Sequence, residues 1–307
     1  MSLRIARGIA AGALLAAPWG PAACAGGDDR APETGVAQCP ARPVDVVVSV
    51  DQWGDLVSRL GGACANVTTV LAGSSANPHD FEPSPADAAK FEGAQLVVLN
   101  GGHYDEWAAK LAASTAPNVP IVDAVVVSGG EVNPHAWYNP RSVTAVVDAV
   151  SARLRQLAPD AAGYFDERRV ALGEALKPYD ELIDSIKASV TGKAYAATET
   201  SFDDMGAALG LTNRTPRGYQ VASASDSEPS PADFDAFLRL LGDRGVDVLI
   251  YNVQTEGAVP QQLRATAEQA GVPVVEITET VPPDADSFES WQVNQLTALG
   301  EALGVAT

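Results

Sequence analysis

Two of the three histidines in the chain share the same local sequence. They occur in the tripeptides Asn77-Pro-His79 and Asn133-Pro-His135, each shortly after a predicted strand. Ligands of open parallel sheets gather at the carboxyl ends of strands, and neutral imidazole is the commonest metal ligand among side chains. The repeated motif therefore predicts two histidine ligands of one site. His103 lacks this context and opens a predicted helix, so we expect it at the surface or beside the site.

Two glutamates stand at matching places in the second half of the chain. Glu199 directly follows a predicted strand at residues 194–198, and Glu279 follows one at residues 272–277 with a single residue between. Both carboxylates are therefore expected to face the cleft that holds the histidines. A lone loop glutamate is usually solvated. Two neutral imidazoles and two carboxylates, however, offer a divalent cation a site of zero net charge.

A repeated hexapeptide indicates how these residues are positioned. The segment Glu82-Pro-Ser-Pro-Ala-Asp87 returns as Glu228-Pro-Ser-Pro-Ala-Asp233. Ser84 and Ser230 are predicted helix N-caps, each with proline at the first helical position. Each copy then runs through a helical stretch into an apolar strand that asparagine closes. One repeated unit predicts two lobes of similar design, with a ligand cleft between them.

Apolar runs alternate with helical stretches along both halves. Continuous runs of valine, leucine and isoleucine are typical of strands buried on both faces, as in parallel sheets covered by helices. The predicted strands are residues 46–50, 67–71, 96–100, 121–127, 194–198, 219–222, 246–251 and 272–277. The predicted helices are residues 52–60, 85–91, 104–111, 202–209, 231–241, 260–270 and 287–303. We predict an α/β protein with two similar lobes, each with a mainly parallel sheet flanked by helices.

One long helical stretch, residues 159–189, is predicted to join the lobes. Its apolar side chains recur at helical spacing on one face. Pro178 lies within it and should kink or interrupt it. A continuous helix here would act as a stiff strut and keep lobe motion small.

The amino terminus has the pattern of a secretion signal. Arg4 and Arg7 precede an apolar run that is too short to span a bilayer, followed by small residues. Cys24 after two alanines resembles a lipoprotein box, in which this cysteine becomes the lipidated first residue, although Pro21 departs from the pattern. The alternative is export with cleavage after Ala25, which discards the thiol. The predicted organisation is a signal peptide at 1–23, a flexible tether at 24–42, an N-terminal lobe at 43–140, a helical linker at 141–190 and a C-terminal lobe at 191–307.

The net charge of the chain argues against nucleic-acid binding, and its cysteine content predicts a disulfide. The formal net charge is −19 and the hydrophobic fraction is 46%, which indicates a globular chain whose surface repels nucleic acid. With Cys24 set apart, Cys39 and Cys64 form an even pair in an exported protein and are predicted to form a disulfide. Two separate buried thiols are the alternative.

Several segments together resemble the bacterial zinc/manganese solute-binding proteins of metal-importing ABC transporters. They are the two Asn-Pro-His motifs with the residues that follow them, Leu96-Val-Val-Leu-Asn-Gly-Gly102, and Trp107. The likeness covers nearly all of the mature chain. It implies two α/β lobes joined by one long helix, with a metal ion held between them by one ligand from each of four strand-end loops.

The resemblance also implies which residues bind the ion. His79 and His135 match the two ligands of the first lobe. Glu199 matches the third ligand, which is histidine in many family members and glutamate in many manganese importers. Glu279 occupies the fourth position, where the family usually has aspartate.

The function that follows from the resemblance is capture of a divalent metal and its delivery to an ABC permease. The protein would be a monomer, either periplasmic or anchored to the outer face of the cytoplasmic membrane, and not an enzyme. Mn²⁺ and Zn²⁺ are the leading candidate ions, and Fe²⁺ is a further one. Carboxylate ligands suit manganese or iron, and the histidine-rich loop that many zinc importers carry between the two histidine motifs does not occur in this sequence. Zinc nevertheless out-competes manganese at most sites with nitrogen and oxygen ligands. The alternatives are a cell-surface adhesin on the same fold and a metal-dependent hydrolase, although no HExxH motif occurs.

Overall fold

The structure is a computed structural model of the chain, and it describes residues 38–73, 81–130, 133–225, 227–255 and 257–305. Two of the predicted functional residues, His79 and Cys24, lie outside these ranges. Residues 37–307 form one compact unit. Within the described ranges, no helix is both long enough and apolar enough to cross a membrane.

The first half of this unit is built on a four-stranded sheet of described residues. Its strands are β1 (Val44–Val50), β2 (Ala65–Leu71), β3 (Leu96–Leu99) and β4 (Ile121–Asp123), in the order β2-β1-β3-β4, and every pairing is parallel. The accompanying helices are α1 (Asp51–Gly61), α2 (Pro85–Ala89), α3 (Glu106–Thr115) and α4 (Ala124–Val127). All four residues of β3 are buried, as expected for a strand with helices on both faces.

The second half repeats this plan. Its strands are β5 (Ala194–Ala197), β6 (Thr212–Asn213), β7 (Val248–Asn252) and β8 (Val274–Ile277), in the parallel order β6-β5-β7-β8. Its helices are α7 (Asp203–Leu209), α8 (Arg217–Ser223), α9 (Pro231–Gly242), α10 (Ala258–Ala270) and α11 (Phe288–Ala302). The two sheets have the same strand order, so the predicted fold of two similar parallel lobes is confirmed.

Two long helices connect the sheets, α5 (Pro140–Leu157) and α6 (Ala162–Ser189). The buried stripe of α6 is the one that the spacing predicts, namely Phe165, Leu172, Leu176, Tyr179, Ile183 and Ile186. The helix runs on through Pro178, so the predicted interruption does not occur. Proline in a helix interior costs about 3 kcal/mol, and burial of six large apolar side chains on one face offsets that cost.

Two predicted strands are wrong in whole or in part. Residues 219–222 belong to helix α8, and the edge strand of the second sheet is the two-residue β6. The predicted strand at 121–127 ends at Asp123, whose side chain accepts a hydrogen bond from the backbone N–H of Val126 and so caps α4. In both places a short apolar run fits a helix as well as a strand. The Asp123 cap favours the helix at α4, whereas α8 begins without a side-chain cap.

The two copies of the hexapeptide begin helices α2 and α9 as predicted. The Ser84 side chain accepts a hydrogen bond from the backbone N–H of Asp87, and Ser230 does the same for Asp233. Proline follows each cap at the first helical position. The repeat is therefore a pair of helix starts rather than a binding motif.

The predicted disulfide joins Cys39 to Cys64, with a sequence separation of 25 residues. It ties the chain ahead of β1 to the turn before β2. A loop of this size closed by a disulfide adds about 3 kcal/mol by the chain-entropy argument. We expect the Cys39→Ala/Cys64→Ala double variant to lose about that much free energy of unfolding in urea denaturation. Equal stability of the wild-type and the double variant under oxidising conditions would contradict this assignment.

Candidate metal centre

The carboxyl ends of both sheets carry the polar side chains that the sequence singled out. His135 lies in the loop between α4 and the 3-10 turn Ala136–Tyr138, directly ahead of α5. Its side chain is only 8% exposed. The imidazole packs edge-on against Trp137, with ring centroids 5.3 Å apart, and against Tyr104 at 6.1 Å. Both aromatic rings are fully buried, so they limit the imidazole to a narrow range of orientations.

Glu279 faces this imidazole from the other half of the molecule. The Nε2 atom of His135 lies 3.7 Å from Oε2 of Glu279, whose side chain is 13% exposed. Two ligands that each lie about 2.1 Å from one ion are about 3.0–4.2 Å apart, depending on the angle at the metal. The pair therefore has the spacing of two ligands of a single cation, and it joins a nitrogen donor of one half to an oxygen donor of the other.

Asn252, the last residue of β7, holds the two glutamates together. Its Nδ2 donates to Oε2 of Glu199 at 2.6 Å and to Oε1 of Glu279 at 2.8 Å. The orientation of the amide is fixed because its Oδ1 accepts from the backbone N–H of Gln254. The hydroxyl of Thr255 donates to the remaining oxygen of Glu199. The two carboxylates thus belong to one rigid group of hydrogen bonds.

The electrostatics of this pair are unfavourable without a cation. Burial raises the pKa of Glu199 to about 8, with further contributions from the charge of Glu279 and a hydrogen bond with its carboxyl group. Burial and the Glu279 charge also raise the pKa of Tyr104 well above its ordinary value, so this phenol is neutral. At neutral pH the glutamate pair holds a proton that a divalent cation would displace.

Three hydrogen bonds reach from the first half to backbone carbonyls beside these glutamates. Gln52 Nε2 donates to the carbonyl of Glu279 itself at 2.8 Å. The Tyr138 hydroxyl donates to the carbonyl of Thr278 at 2.7 Å. Asn133 Nδ2 donates to the carbonyl of Thr200 at 3.1 Å. The loops that carry both glutamates are therefore attached to the half that carries the histidine.

The structure brings together some of the predicted site residues and not others. His135 and Glu279 face each other, and Glu199 shares Asn252 with Glu279. Among the described residues, no group of three or more His, Cys, Asp or Glu side chains is arranged to hold a metal ion. His79, the fourth predicted ligand, lies outside the described residues. His103 is 90% exposed and pairs with a neighbouring glutamate, consistent with its predicted surface position.

Asn252 and Thr255 hydrogen-bond to the candidate ligands, and the sequence analysis does not single them out. A signal for the first was present, since asparagine ends the same apolar strand in both halves. Its counterpart Asn100, directly after β3, donates from Nδ2 to the carbonyl of Pro134 at 2.7 Å and so supports the loop that carries His135. Each asparagine stands at the end of the third strand of its sheet. Asn100 supports the loop of one candidate ligand, and Asn252 contacts two candidate ligands directly. Thr255 carried no comparable signal.

Two parallel sheets of matching order, with side chains from both halves meeting at their strand ends, define the two-lobed α/β class of binding-protein folds. Comparison with known proteins specifies the class further. The model of the family described as zinc-uptake complex component A, periplasmic (ZnuA), matches residues 46–302. The chain belongs to this family.

Individual relatives are distant. The chain is 26% identical over 144 residues to the manganese-binding lipoprotein MntA of Halalkalibacterium halodurans, covering 45% of this chain and 48% of MntA. It is 27% identical over 152 residues to the iron-binding protein YfeA of Yersinia pestis, covering 46% of this chain and 48% of YfeA. The matches thus span about half the length of these curated relatives. The solved structure of the solute-binding protein FpvC from Pseudomonas aeruginosa in complex with Mn²⁺ has a TM-score of 0.69 at 20% identity, covering 86% of this chain and 99% of FpvC.

Proposed function

We propose that this protein is an extracytoplasmic solute-binding protein that captures a divalent transition metal between its two halves and delivers it to an ABC permease. The observation that carries the proposal is the 3.7 Å approach of His135 Nε2 to Glu279 Oε2, because it joins a nitrogen and an oxygen donor from opposite halves. Membership of a family described by zinc uptake supports it. No covalent step is needed.

The proposed ligands are His79, His135, Glu199 and Glu279. His79 is included because its Asn-Pro-His motif repeats that of His135. Glu199 requires a small rearrangement, since its two oxygens accept hydrogen bonds from Asn252 and Thr255. Glu279 accepts from Asn252 at Oε1, and its Oε2 is the atom that faces His135. A bound cation would compete for these oxygens and would offset the repulsion between the two carboxylates.

Mn²⁺ and Zn²⁺ are the proposed cargo ions, with Fe²⁺ as a further candidate. Two imidazoles and two carboxylates form a mixed nitrogen and oxygen site, which these divalent transition-metal ions accept. Among the relatives, MntA is named as manganese-binding and YfeA as iron-binding. The oxygen content favours manganese or iron, whereas the order of intrinsic affinities favours zinc.

We further propose that the protein acts outside the cytoplasmic membrane as a monomer. The Cys39–Cys64 disulfide fits an oxidising compartment. Lipidation at Cys24 would anchor the chain to the outer face of the membrane, and residues 24–42 would serve as the tether. The remaining lobes are those predicted from the sequence, residues 43–140 and 191–307, with the linker at 141–190 between them.

The test is metal content after purification without chelators. We expect about one equivalent of metal in the wild-type protein and a large loss in His135→Ala, because this side chain supplies a nitrogen donor of the site. His103→Ala is the matched control, since it removes an exposed histidine of the same half. Thermal-shift titrations with Mn²⁺ and Zn²⁺ should then rank the two ions. A wild-type protein that contains no metal and is stabilised by neither ion would refute the proposal.

A further inference from the structure

Asn133 contacts both halves of the proposed site through one side chain. Its Oδ1 accepts from the backbone N–H of His135 at 3.1 Å and lies 2.8 Å from Nδ1 of the same residue. Its Nδ2 donates across to the carbonyl of Thr200, next to Glu199, at 3.1 Å. The same amide therefore contacts one candidate ligand directly and another through the neighbouring residue.

The orientation of the Asn133 amide follows from these partners. The Thr200 carbonyl can only accept, and the backbone N–H of His135 can only donate. If the amide were flipped, Oδ1 would face the Thr200 carbonyl, which is also an acceptor, and Nδ2 would face the backbone N–H of His135, which is also a donor. Oδ1 must therefore face His135, where it accepts a hydrogen bond from the protonated Nδ1 of the imidazole.

This contact fixes the tautomer of His135. With the proton on Nδ1, the lone pair of the ring lies on Nε2, the atom that faces Glu279 at 3.7 Å. Ligating histidines generally donate their other ring N–H to such an acceptor, which orients the ring and raises the basicity of the ligand. In the metal-free protein the neutral imidazole therefore already has the tautomer and the ring orientation that coordination through Nε2 requires.

We propose that Asn133 is a positioning residue that presets the His135 tautomer and fixes its distance to the glutamate side of the site, so that it slows metal release. The proposal rests on the proposed function of metal capture. It assigns no coordination to Asn133 itself, because both polar atoms of its side chain are occupied by protein partners. Loss of the amide would let the ring turn and would free the loop at Thr200.

The variants Asn133→Leu and Asn133→Asp separate this role from general stability. Leucine removes both contacts. Aspartate keeps the acceptor for the imidazole and loses the donor to Thr200. Asn213→Leu is the matched control, because Asn213 also accepts from the backbone N–H two residues ahead, at Thr215, and its Nδ2 donates to Asp203.

Two measurements decide the outcome. Nitrogen chemical shifts of the imidazole in the metal-free protein should show the Nδ1–H tautomer in wild type and in Asn133→Asp, and a mixture of tautomers in Asn133→Leu. Stopped-flow release of Mn²⁺ or Zn²⁺ into a chelator should be about 10–100-fold faster in Asn133→Leu and unchanged in Asn213→Leu. If wild type binds metal while Asn133→Leu keeps both the tautomer and the release rate, this inference is wrong and the transport function stands. A wild-type protein that binds neither ion would overturn both.

Discussion

Replacement of Glu199 by glutamine should weaken metal binding by at least about 100-fold and should at the same time make the metal-free protein more stable at alkaline pH. Glutamine lacks the negative charge and the strong oxygen donor of the carboxylate. Loss of a partner outside the coordination sphere already costs 10–100-fold in affinity, so loss of a proposed ligand should cost more. Metal affinity and stability of the metal-free state should therefore change in opposite directions.

The gain in stability follows from the contacts of the glutamate pair. Glu199 and Glu279 both accept from the single Nδ2 of Asn252, at 2.6 Å and 2.8 Å. Burial is the main reason that the pKa of Glu199 is raised, and the charge of Glu279 adds to it, although Asn252 and Thr255 both donate to this carboxylate. A glutamine amide has the shape of a protonated glutamate and can donate to Glu279. We expect a gain on the order of 1–3 kcal/mol at pH 9.

Urea denaturation in the presence of a chelator measures the stability, and competition with a metal-sensitive dye measures the affinity. Glu276→Gln is the control, because Glu276 belongs to β8 but points outward and pairs with Arg264 at 2.6 Å. It changes the net charge by the same amount at a distance from the proposed ligands. A Glu199→Gln protein that is less stable when metal-free and binds metal normally would show that Glu199 is only a structural hydrogen-bond acceptor.

The contacts between Glu199, Asn252 and Glu279 also show how far the sequence predicts this site. The positions of the glutamates could be predicted because the ends of parallel strands lie at one edge of a sheet. The hydrogen bonds among them could not, because they depend on side chains from β7 and from the loops after β5 and β8. Asparagine at the end of a strand has no chemical signature of its own, although it recurs at the ends of β3 and β7, as Asn100 and Asn252.

The fold could be predicted for a physical reason that also explains the errors. Strands such as β3 are buried on both faces, so their apolar runs are unbroken and easily found. The edge strand β6 has only two residues, Thr212 and Asn213, and neither is apolar. The sequence instead predicts a strand at residues 219–222, which belong to α8. The Tyr219 side chain on that helix is buried, and its hydroxyl donates to the carbonyl of Thr198 at 3.2 Å, so tertiary contacts favour the helix.

The second large effect is that metal binding should depend on pH even above the pH range in which unperturbed histidines titrate. Burial raises the pKa of Glu199 from its ordinary value of 4.5 to about 8. At a pH between 4.5 and about 8, the Glu199 carboxyl group of the native metal-free protein holds a proton that the unfolded chain has released. The free energy of unfolding therefore contains a contribution that is fully present below about pH 4.5 and is lost as the pH rises through about 8.

Metal binding must show the opposite trend. A cation favours the charged carboxylate, so binding displaces the shared proton and becomes tighter as the pH rises. The stabilisation that Mn²⁺ or Zn²⁺ confers in a thermal-shift assay should consequently grow between pH 6 and pH 8, while the melting temperature of the metal-free protein falls.

Proton release at pH 7.5 tests the contribution of Glu199, because this pH lies just below the raised pKa of about 8 of its carboxyl group. Calorimetric titration in two buffers with different ionisation enthalpies should give about 0.5–1 proton released per metal ion in the wild-type protein. Glu199→Gln should release close to none, since the glutamine cannot hold the shared proton, and Glu276→Gln should behave as wild type. Equal proton release by wild type and Glu199→Gln would mean that the proton comes from another group, and the glutamate pair would then not be the part of the site that responds to the cation.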